Sequence, residues 1–175
     1  MKRWYRGPVR AHFFSLSCVL ALLTAPAAWA SDEGGDGSES GVARQWRMAI
    51  SPFTRHWRPS EEHKPVWAIG VERQDPNGSL VGGSFFSNSF GQDCSYLYYG
   101  QRYTGFWGEP KLFAQWSAGV IYGYRGKYED KLPLNHHGFA PGALVSMGWN
   151  FDRRSSVAFH LLGDAGVMVQ LAYGF

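Results

Sequence analysis

Residues 167–175, VMVQLAYGF, alternate strictly between two kinds of side chain. The odd-numbered positions hold Val, Val, Leu, Tyr and Phe, and the even-numbered positions between them hold Met, Gln, Ala and Gly. A period of two places these sets on opposite faces of a β-strand. The stretch therefore predicts a strand that is apolar on one face and polar or small on the other. Two structures fit this pattern, the edge strand of a soluble sandwich and a strand of a membrane barrel.

The same period recurs along most of the chain. It predicts eight strands, at residues 46–56, 67–72, 81–86, 96–103, 112–123, 144–149, 157–162 and 167–175. The first is the least regular, because Pro52 lies inside it and proline cannot donate to a strand ladder. Eight is an even number, and strands of this length suit a closed barrel. We therefore predict an all-β fold, an eight-stranded antiparallel transmembrane β-barrel.

The first thirty residues have the features of a secretory signal. They contain four basic residues and no acidic residue, then an apolar run at 13–23 and the triplet Ala28-Trp29-Ala30. The acidic stretch SDEGGDGSES follows, so we predict a signal peptide at 1–30, a disordered acidic and Gly-rich leader at 31–45 and a barrel at 46–175. Without the signal, 13 Lys and Arg face 14 Asp and Glu, and the net charge of +3 disappears. This balance excludes a strongly basic nucleic-acid-binding domain.

Composition after residue 30 supports a barrel over other classes. This part contains 21 Gly and 24 aromatic residues, which fits neither a disordered chain nor a helical bundle. No later stretch has the roughly 18–20 consecutive apolar residues of a spanning helix. A membrane barrel alternates apolar and polar faces, so its mean hydropathy stays modest. A soluble sandwich or a lipocalin-like binder of apolar ligands remains the alternative.

Strand parity predicts which residues share an end of the barrel. If Phe175 lies in the periplasm, the turn at residues 75–78 also lies there, and the connections after strands one, three, five and seven lie outside. His56, Asn88 and Ser89 then meet at the outer rim, although they are far apart in sequence. On the strands themselves, His160 is predicted to face inward. The same parity points glycines into the lumen, where they leave room for a narrow hydrocarbon slot: Gly70, Gly82, Gly119, Gly148 and Gly174.

Residues 67–89, WAIGVERQDPNGSLVGGSFFSNS, resemble a stretch of the lipid A palmitoyltransferase (PagP) family. The family pattern there is a Gly-rich strand, an Asp/Gly turn and a strand that ends in Asp-Ser. Residues 96–100, YLYYG, are similar to the following Gly-Tyr-Gly strand of that family. The resemblance implies an eight-stranded outer-membrane barrel that moves an acyl chain from a phospholipid to lipid A. It also implies a rim His, Asp and Ser needed for activity and a lumen that holds the acyl chain.

Transferred residue by residue, the family pattern assigns catalytic roles to His56, Asn88 and Ser89. His56 would be the general base, Ser89 the activated hydroxyl or a polar stabiliser, and Asn88 the group that orients the base. Asn88 stands where the family has an aspartate, and an amide stabilises an imidazolium less well than a carboxylate does. The alternative is structural, because short polar side chains such as Asn88 and Ser89 also begin loops.

The leading functional expectation is thus an outer-membrane acyltransferase, or a related hydrolase, that acts on lipid acyl chains. Its expected partners are phospholipid and lipid A, with no nucleic acid and no cofactor, and the protein is expected to be a monomer in the bacterial outer membrane. The alternative is a non-enzymatic small barrel that binds lipid or a surface partner. Six basic residues in the outer loops are candidates for contacts with lipid A phosphates, and the alternative for each is an ordinary solvated loop surface: Arg55, Arg58, Lys64, Arg125, Lys127 and Lys131. A metal site at His56, His63, His136 and His137 has no supporting spacing motif.

Overall fold

A computed structural model describes residues 44–58 and 60–175. The predicted signal peptide and leader lie outside these residues, except for the leader's last two. Eight strands form in chain order: β1 (Gln45–His56), β2 (Ala68–Gln74), β3 (Ser79–Ser87), β4 (Asp93–Thr104), β5 (Leu112–Tyr122), β6 (Phe139–Asn150), β7 (Ser155–Leu161) and β8 (Gly166–Gly174). Short 3₁₀ segments at Phe106–Gly108 and Gly126–Lys131 are the helical parts. No helix in the described chain is long and apolar enough to cross a membrane.

The strands close into one antiparallel barrel. Each strand pairs with its neighbour in sequence, and β1 also pairs with β8. The closing ladder matches Arg47 with Gly174 and His56 with Gly166. Among the strands of the described residues, closure leaves no free sheet edge, because each of them has two partners. The prediction of an eight-stranded antiparallel barrel is confirmed, including its irregular first strand.

Pro52 lies at the irregularity in β1. The ladder from β1 to β2 ends at Ser51, which pairs with Ala68. On the other side, the register against β8 shifts between Ile50 and Phe53. A bulge leaves a residue out of the ladder, so the missing proline N–H breaks no regular hydrogen bond.

Residues 75–78 form the tight turn that their chemistry predicts. The N–H of Gly78 donates to the Asp75 carbonyl at 2.9 Å, and the Asn77 side chain accepts from the N–H of Ser79 at 3.0 Å. Gly78 has a φ of +81°, and a Cβ there would stand 2.3 Å from the Arg102 carbonyl oxygen. Both facts require glycine.

The two ends of the barrel differ in their connections. At one end, called the turn end, lie residues 75–78, 105–111 and 151–154, together with Arg44 and Phe175. At the other, the loop end, lie residues 57–58, 60–67, 88–92, 123–138 and 162–165. This division agrees with the predicted parity and brings the connections that follow His56 and Ser87 to one end.

The barrel is apolar outside and polar inside. The aliphatic side chains of Met48, Ile69 and Leu97 are 58%, 52% and 68% exposed on the outer wall. Aromatic residues cluster towards both ends of that wall, with Trp46, Trp149 and Tyr173 near the turn end and Trp67, Phe85, Tyr122 and Phe139 near the loop end. Inside, by contrast, most of the buried polar side chains point into the lumen: Arg47, Ser51, Glu72, Arg102, Gln115, Ser117, Ser146, Ser156 and His160.

Candidate functional site

The four connections at the loop end are joined into one rim by hydrogen bonds. The N–H of Trp57 donates to the Ala165 carbonyl at 3.0 Å, and the N–H of Lys64 donates to the Ser89 carbonyl at 2.8 Å. The Gln92 side-chain amide donates to the Arg125 carbonyl at 3.0 Å. Each loop is therefore hydrogen-bonded to a neighbouring loop, although the loops contain little regular secondary structure.

A row of rings crosses this rim, and we call His56, His63, Phe90 and Tyr128 the rim cluster. The ring centroids of His56 and His63 are 4.6 Å apart, and those of His63 and Phe90 are 5.9 Å apart. Phe90 stacks on Tyr128 at 4.2 Å with an interplanar angle of 16°. The row connects the end of β1 with the first, second and third loops of the loop end, which contain His63, Phe90 and Tyr128 respectively.

Asn88 holds the tight connection between β3 and β4. Its side-chain Oδ1 accepts from the backbone N–H groups of Phe90 and Gln92, both at 2.9 Å. Its Nδ2 donates to the Gln92 Oε1 at 3.3 Å, and the residue is almost completely buried. These bonds are those of a loop-initiating Asn. The amide oxygen that would orient a catalytic histidine is thus already shared by two backbone donors.

His56 and Ser89 lie at the same rim, as predicted from strand parity. Ser89 is half-buried, and its carbonyl holds Lys64 of the loop that follows His56. In the described part of the chain, no side-chain hydrogen bond joins His56, Asn88 and Ser89 to one another. The aromatic neighbour of His56 is His63, whose own neighbour is Phe90. The structure therefore gathers the three residues at one rim without forming a hydrogen-bonded triad.

Other candidates at the rim are dispersed. His136 and His137 contact each other edge-on, with ring centroids 4.1 Å apart, in the third loop. No group of three or more His, Cys, Asp or Glu within residues 44–58 and 60–175 is arranged to hold a metal ion. In the same loop, burial raises the pKa of Tyr124 to about 12. Tyr124 is therefore neutral at ordinary pH.

Three charged side chains meet inside the barrel, and they were not among the residues predicted from the sequence. We call Arg47, Glu72 and Arg102 the interior cluster, and each is at most 4% exposed. Arg102 Nη2 lies 3.3 Å from Glu72 Oε1, and Arg47 Nε lies 3.8 Å from the same oxygen. One carboxylate thus serves two guanidinium groups near the turn end.

Neighbouring polar groups hold the interior cluster in place. Tyr98 donates its hydroxyl to Glu72 Oε2 at 3.2 Å, and Arg102 Nε donates to Gln115 Oε1 at 2.8 Å. Arg47 also donates to Ser156 on β7. Arg102 lies 4.1 Å from the centre of the Phe113 ring, a distance suited to a cation–π contact.

Small residues in the wall make these contacts across the lumen possible. Gly82 lies between Glu72 and Tyr98 in the register of β2, β3 and β4. A Cβ on Gly82 would stand 2.6 Å from the Tyr98 hydroxyl and 2.9 Å from the Glu72 Cβ. The inward orientation of Gly82 was predicted from parity, but here it gives room to a tyrosine and not to a hydrocarbon.

A small cavity lies in the lumen. A cavity of about 40 Å³ lies beside the interior cluster and is lined by groups that include Tyr98, Gln115, Ser117, His160 and Gln170. The inward position predicted for His160 is confirmed. Sites for drug-sized ligands usually measure about 300–1,000 Å³. In this conformation the cavity is therefore far too small for an acyl chain.

One sequence signal would have revealed the interior cluster. Arg47 stands between Trp46 and Met48, and Glu72 and Arg102 each have one apolar or aromatic neighbour, Val71 and Tyr103. Arg47, Glu72 and Arg102 all have the inward parity, and charges of both signs on that parity of three strands indicate a lumenal ion pair. The polar outward neighbours Arg73 and Gln101 weaken the signal on β2 and β4.

No protein-family model matches this sequence, and no curated protein matches it at a significant level. The likeness to the PagP family therefore depends on the residues quoted above and stays a prediction.

Proposed function

We propose that the protein spans the bacterial outer membrane as a closed barrel whose outer rim binds lipid or a surface partner without chemically changing it. The observation that carries the proposal is the inverted polarity of the wall. A soluble barrel would leave its Leu97, Met48 and Ile69 side chains in water, at a cost that grows with apolar area. A lipid bilayer removes that cost, and the closed ladder satisfies the backbone groups that lipid cannot.

Aromatic side chains near both ends of the wall support the same placement. Trp149 and Tyr173 near one end and Trp67 and Tyr122 near the other are exposed. Trp and Tyr favour the interface between hydrocarbon and water, where an apolar ring and a polar group are both accommodated. A secretory signal at the start of the chain would deliver the protein to the envelope.

Two features of the loop end favour binding over catalysis. Both lone pairs of the Asn88 amide oxygen are taken by backbone donors, so Asn88 supports a turn. The lumenal cavity lined by Tyr98, Gln115 and His160 has room for a few water molecules only. A rim tied together by loop-to-loop hydrogen bonds offers a stable surface for a headgroup or another molecule.

The membrane placement is tested by fractionation and by gel mobility. The full chain, expressed in a Gram-negative host, is expected in the outer-membrane fraction, and its mobility on a gel should change on boiling. A protein found in the soluble periplasmic fraction, with the same mobility before and after heating, would refute the placement.

Lipid acyl transfer is the second candidate, and one observation favours it. The hydrogen bond from Lys64 to the Ser89 carbonyl brings the loop that follows His56 against the serine. Substrate-bound sites tighten contacts that are long in the free enzyme, so the absence of a triad hydrogen bond is compatible with activity. On this proposal His56 is the base, Ser89 the hydroxyl and Asn88 the orienting group, and phospholipid and lipid A are the substrates.

A mass spectrum of lipid A, taken with and without expression, separates the two candidates. Binding without chemistry predicts the same lipid A masses in both samples. Transfer predicts an added acyl mass that disappears in Ser89→Ala and His56→Ala, with barrel folding retained.

The substitution Asn88→Asp also separates the two candidate functions. It places a carboxylate where the PagP family has an aspartate, and it keeps an oxygen that accepts from the backbone N–H groups of Phe90 and Gln92. A transferase should gain activity in this variant, whereas a binding barrel should show none.

A further inference from the structure

We propose that the lumen binds a small monovalent anion, with chloride as the simplest case, in the cavity lined by Gln115 and His160. The three charged side chains of the interior cluster do not line this cavity, and they act on the anion through their charge and not by direct contact. The inference concerns the interior only, and it stands whether or not the rim has catalytic activity.

Charge in the interior cluster is unbalanced. Arg47 and Arg102 carry two positive charges, and Glu72 supplies one negative charge. Burial of a charge without a counter-charge is costly, and a positive excess among groups this deeply buried favours an anion. Arg47 Nε and Arg102 Nη1 are also buried without a hydrogen-bond partner in the described part of the chain.

The strand register leads from the cluster to His160. Arg102 pairs with Gln115, Gln115 with Ser146, and Ser146 with His160, so four inward-facing residues form one row across β4, β5, β6 and β7. Each is between 4% and 6% exposed. Neighbouring strands lie about 4.8 Å apart, so the row is a short arc of the inner wall. His160 lines the cavity, and neither of its ring nitrogens has a hydrogen-bond partner among the described residues.

The cavity offers donors and no carboxylate. The oxygen of the Gln115 side chain accepts from Arg102 Nε, which turns the Gln115 NH₂ group away from the guanidinium. His160 and Gln170 add N–H donors, and Ser51, Ser84 and Ser117 add hydroxyl groups. A volume of about 40 Å³ accommodates one small ion or about three waters, given about 10–15 Å³ for each. Size therefore excludes larger organic anions, and the donors favour a halide.

The test uses the full chain, purified and folded in detergent micelles. Unfolding is followed in urea at constant ionic strength, while chloride or bromide replaces gluconate. We expect the urea midpoint to rise with halide concentration and to saturate, since a ligand that binds only the folded state stabilises it. A midpoint that is the same in halide and gluconate would overturn the proposal.

Two variants locate the effect. Gln115→Glu places a carboxylate beside Arg102, and Arg47→Gln removes the excess positive charge, so the halide response should disappear in both. Gln101→Glu is the matched control, because Gln101 precedes Arg102 on β4 but hydrogen-bonds to the Asn77 carbonyl in the turn. It should keep the full response. A halide response that persists unchanged in both Gln115→Glu and Arg47→Gln would assign halide binding to another surface and overturn the proposal.

A direct measurement covers the case in which the cluster variants do not fold. Chloride-35 NMR linewidths are recorded for the wild-type protein, with bromide as competitor. We expect broadening that bromide reverses and that vanishes on unfolding in urea. Equal linewidths for folded and unfolded protein would overturn the proposal.

Discussion

The two ends of the barrel are closed by different means. Near the turn end, charged side chains carried on strands meet inside the lumen, and Glu72 is 1% exposed. At the loop end, half-exposed rings and backbone hydrogen bonds join loops across the mouth. Interactions in a buried, low-dielectric site are strong when paired and costly when broken, whereas interactions near water are weak either way. We therefore expect substitutions that break contacts near the turn end to lower the free energy of unfolding more than substitutions at the loop end.

The largest expected effect is that of Glu72→Gln, which leaves two buried guanidinium groups facing no carboxylate. Breaking a buried ion pair in this way costs about 3–5 kcal/mol of unfolding free energy. Urea unfolding in micelles measures it. Glu61→Gln is the control, since Glu61 is an exposed carboxylate in the first loop. Similar urea midpoints for Glu72→Gln and Glu61→Gln would contradict the expectation that substitutions near the turn end cost more unfolding free energy than those at the loop end.

A smaller loss is expected for Gly82→Ala, because the new methyl group would overlap the Tyr98 ring and hydroxyl. Overpacking of this kind costs about 1–3 kcal/mol. Gly83→Ala is the matched control on the outward face, where the added carbon stands 3.0 Å from the flexible end of Leu97 and at an ordinary contact distance of 3.8 Å from the Tyr96 carbonyl oxygen. If Gly83→Ala proved as destabilising as Gly82→Ala, the interior contacts would not be the cause.

Phe90→Ala tests the loop end. The variant loses ring contacts with His63 and Tyr128, each worth about 0.5–1.5 kcal/mol. We expect faster amide hydrogen exchange in the loops at 57–67 and 123–138, with little change in the strands near Glu72. Phe151→Ala, at the exposed turn end, should leave exchange in those loops unchanged. Faster exchange throughout the strands would show that the rim supports the whole barrel.

The smallest effect concerns Asp152 in a turn. Hydrogen bonds from the backbone N–H groups of Ser155 and Arg154 hold the pKa of Asp152 below its usual value. A carboxyl with a lowered pKa stabilises the fold above its unfolded pKa of about 3.9, and this contribution is lost as the pH falls through the folded value. The difference in urea midpoint between wild type and Asp152→Asn should therefore shrink between pH 5 and pH 2. Asp130→Asn in the third loop serves as the charge control, and a difference that does not change with pH would contradict the assignment.

Much of the fold could be predicted because the alternation in strands such as 167–175 is local. A residue at an odd position faces away from its even neighbour in any strand, whatever the rest of the chain does. The turn at 75–78 is also set locally, since position 78 has a positive φ that glycine adopts more readily than other residues. Parity also placed His56 and Ser89 at one rim. The commitment of Asn88 to a turn could not be separated in advance from a catalytic role, because both use the same amide oxygen.

The number of strands, the face on which each residue lies and the end that each connection occupies can be read from the sequence alone, because they follow from a period of two and from counting. Which inward residues touch depends on the three-dimensional packing. Arg47, Glu72 and Arg102 come from three strands, and their contact depends on register, on the closure of β1 against β8 and on the space left by Gly82. Closure converts a row of inward positions into a packed lumen, and packing depends on all eight strands at once.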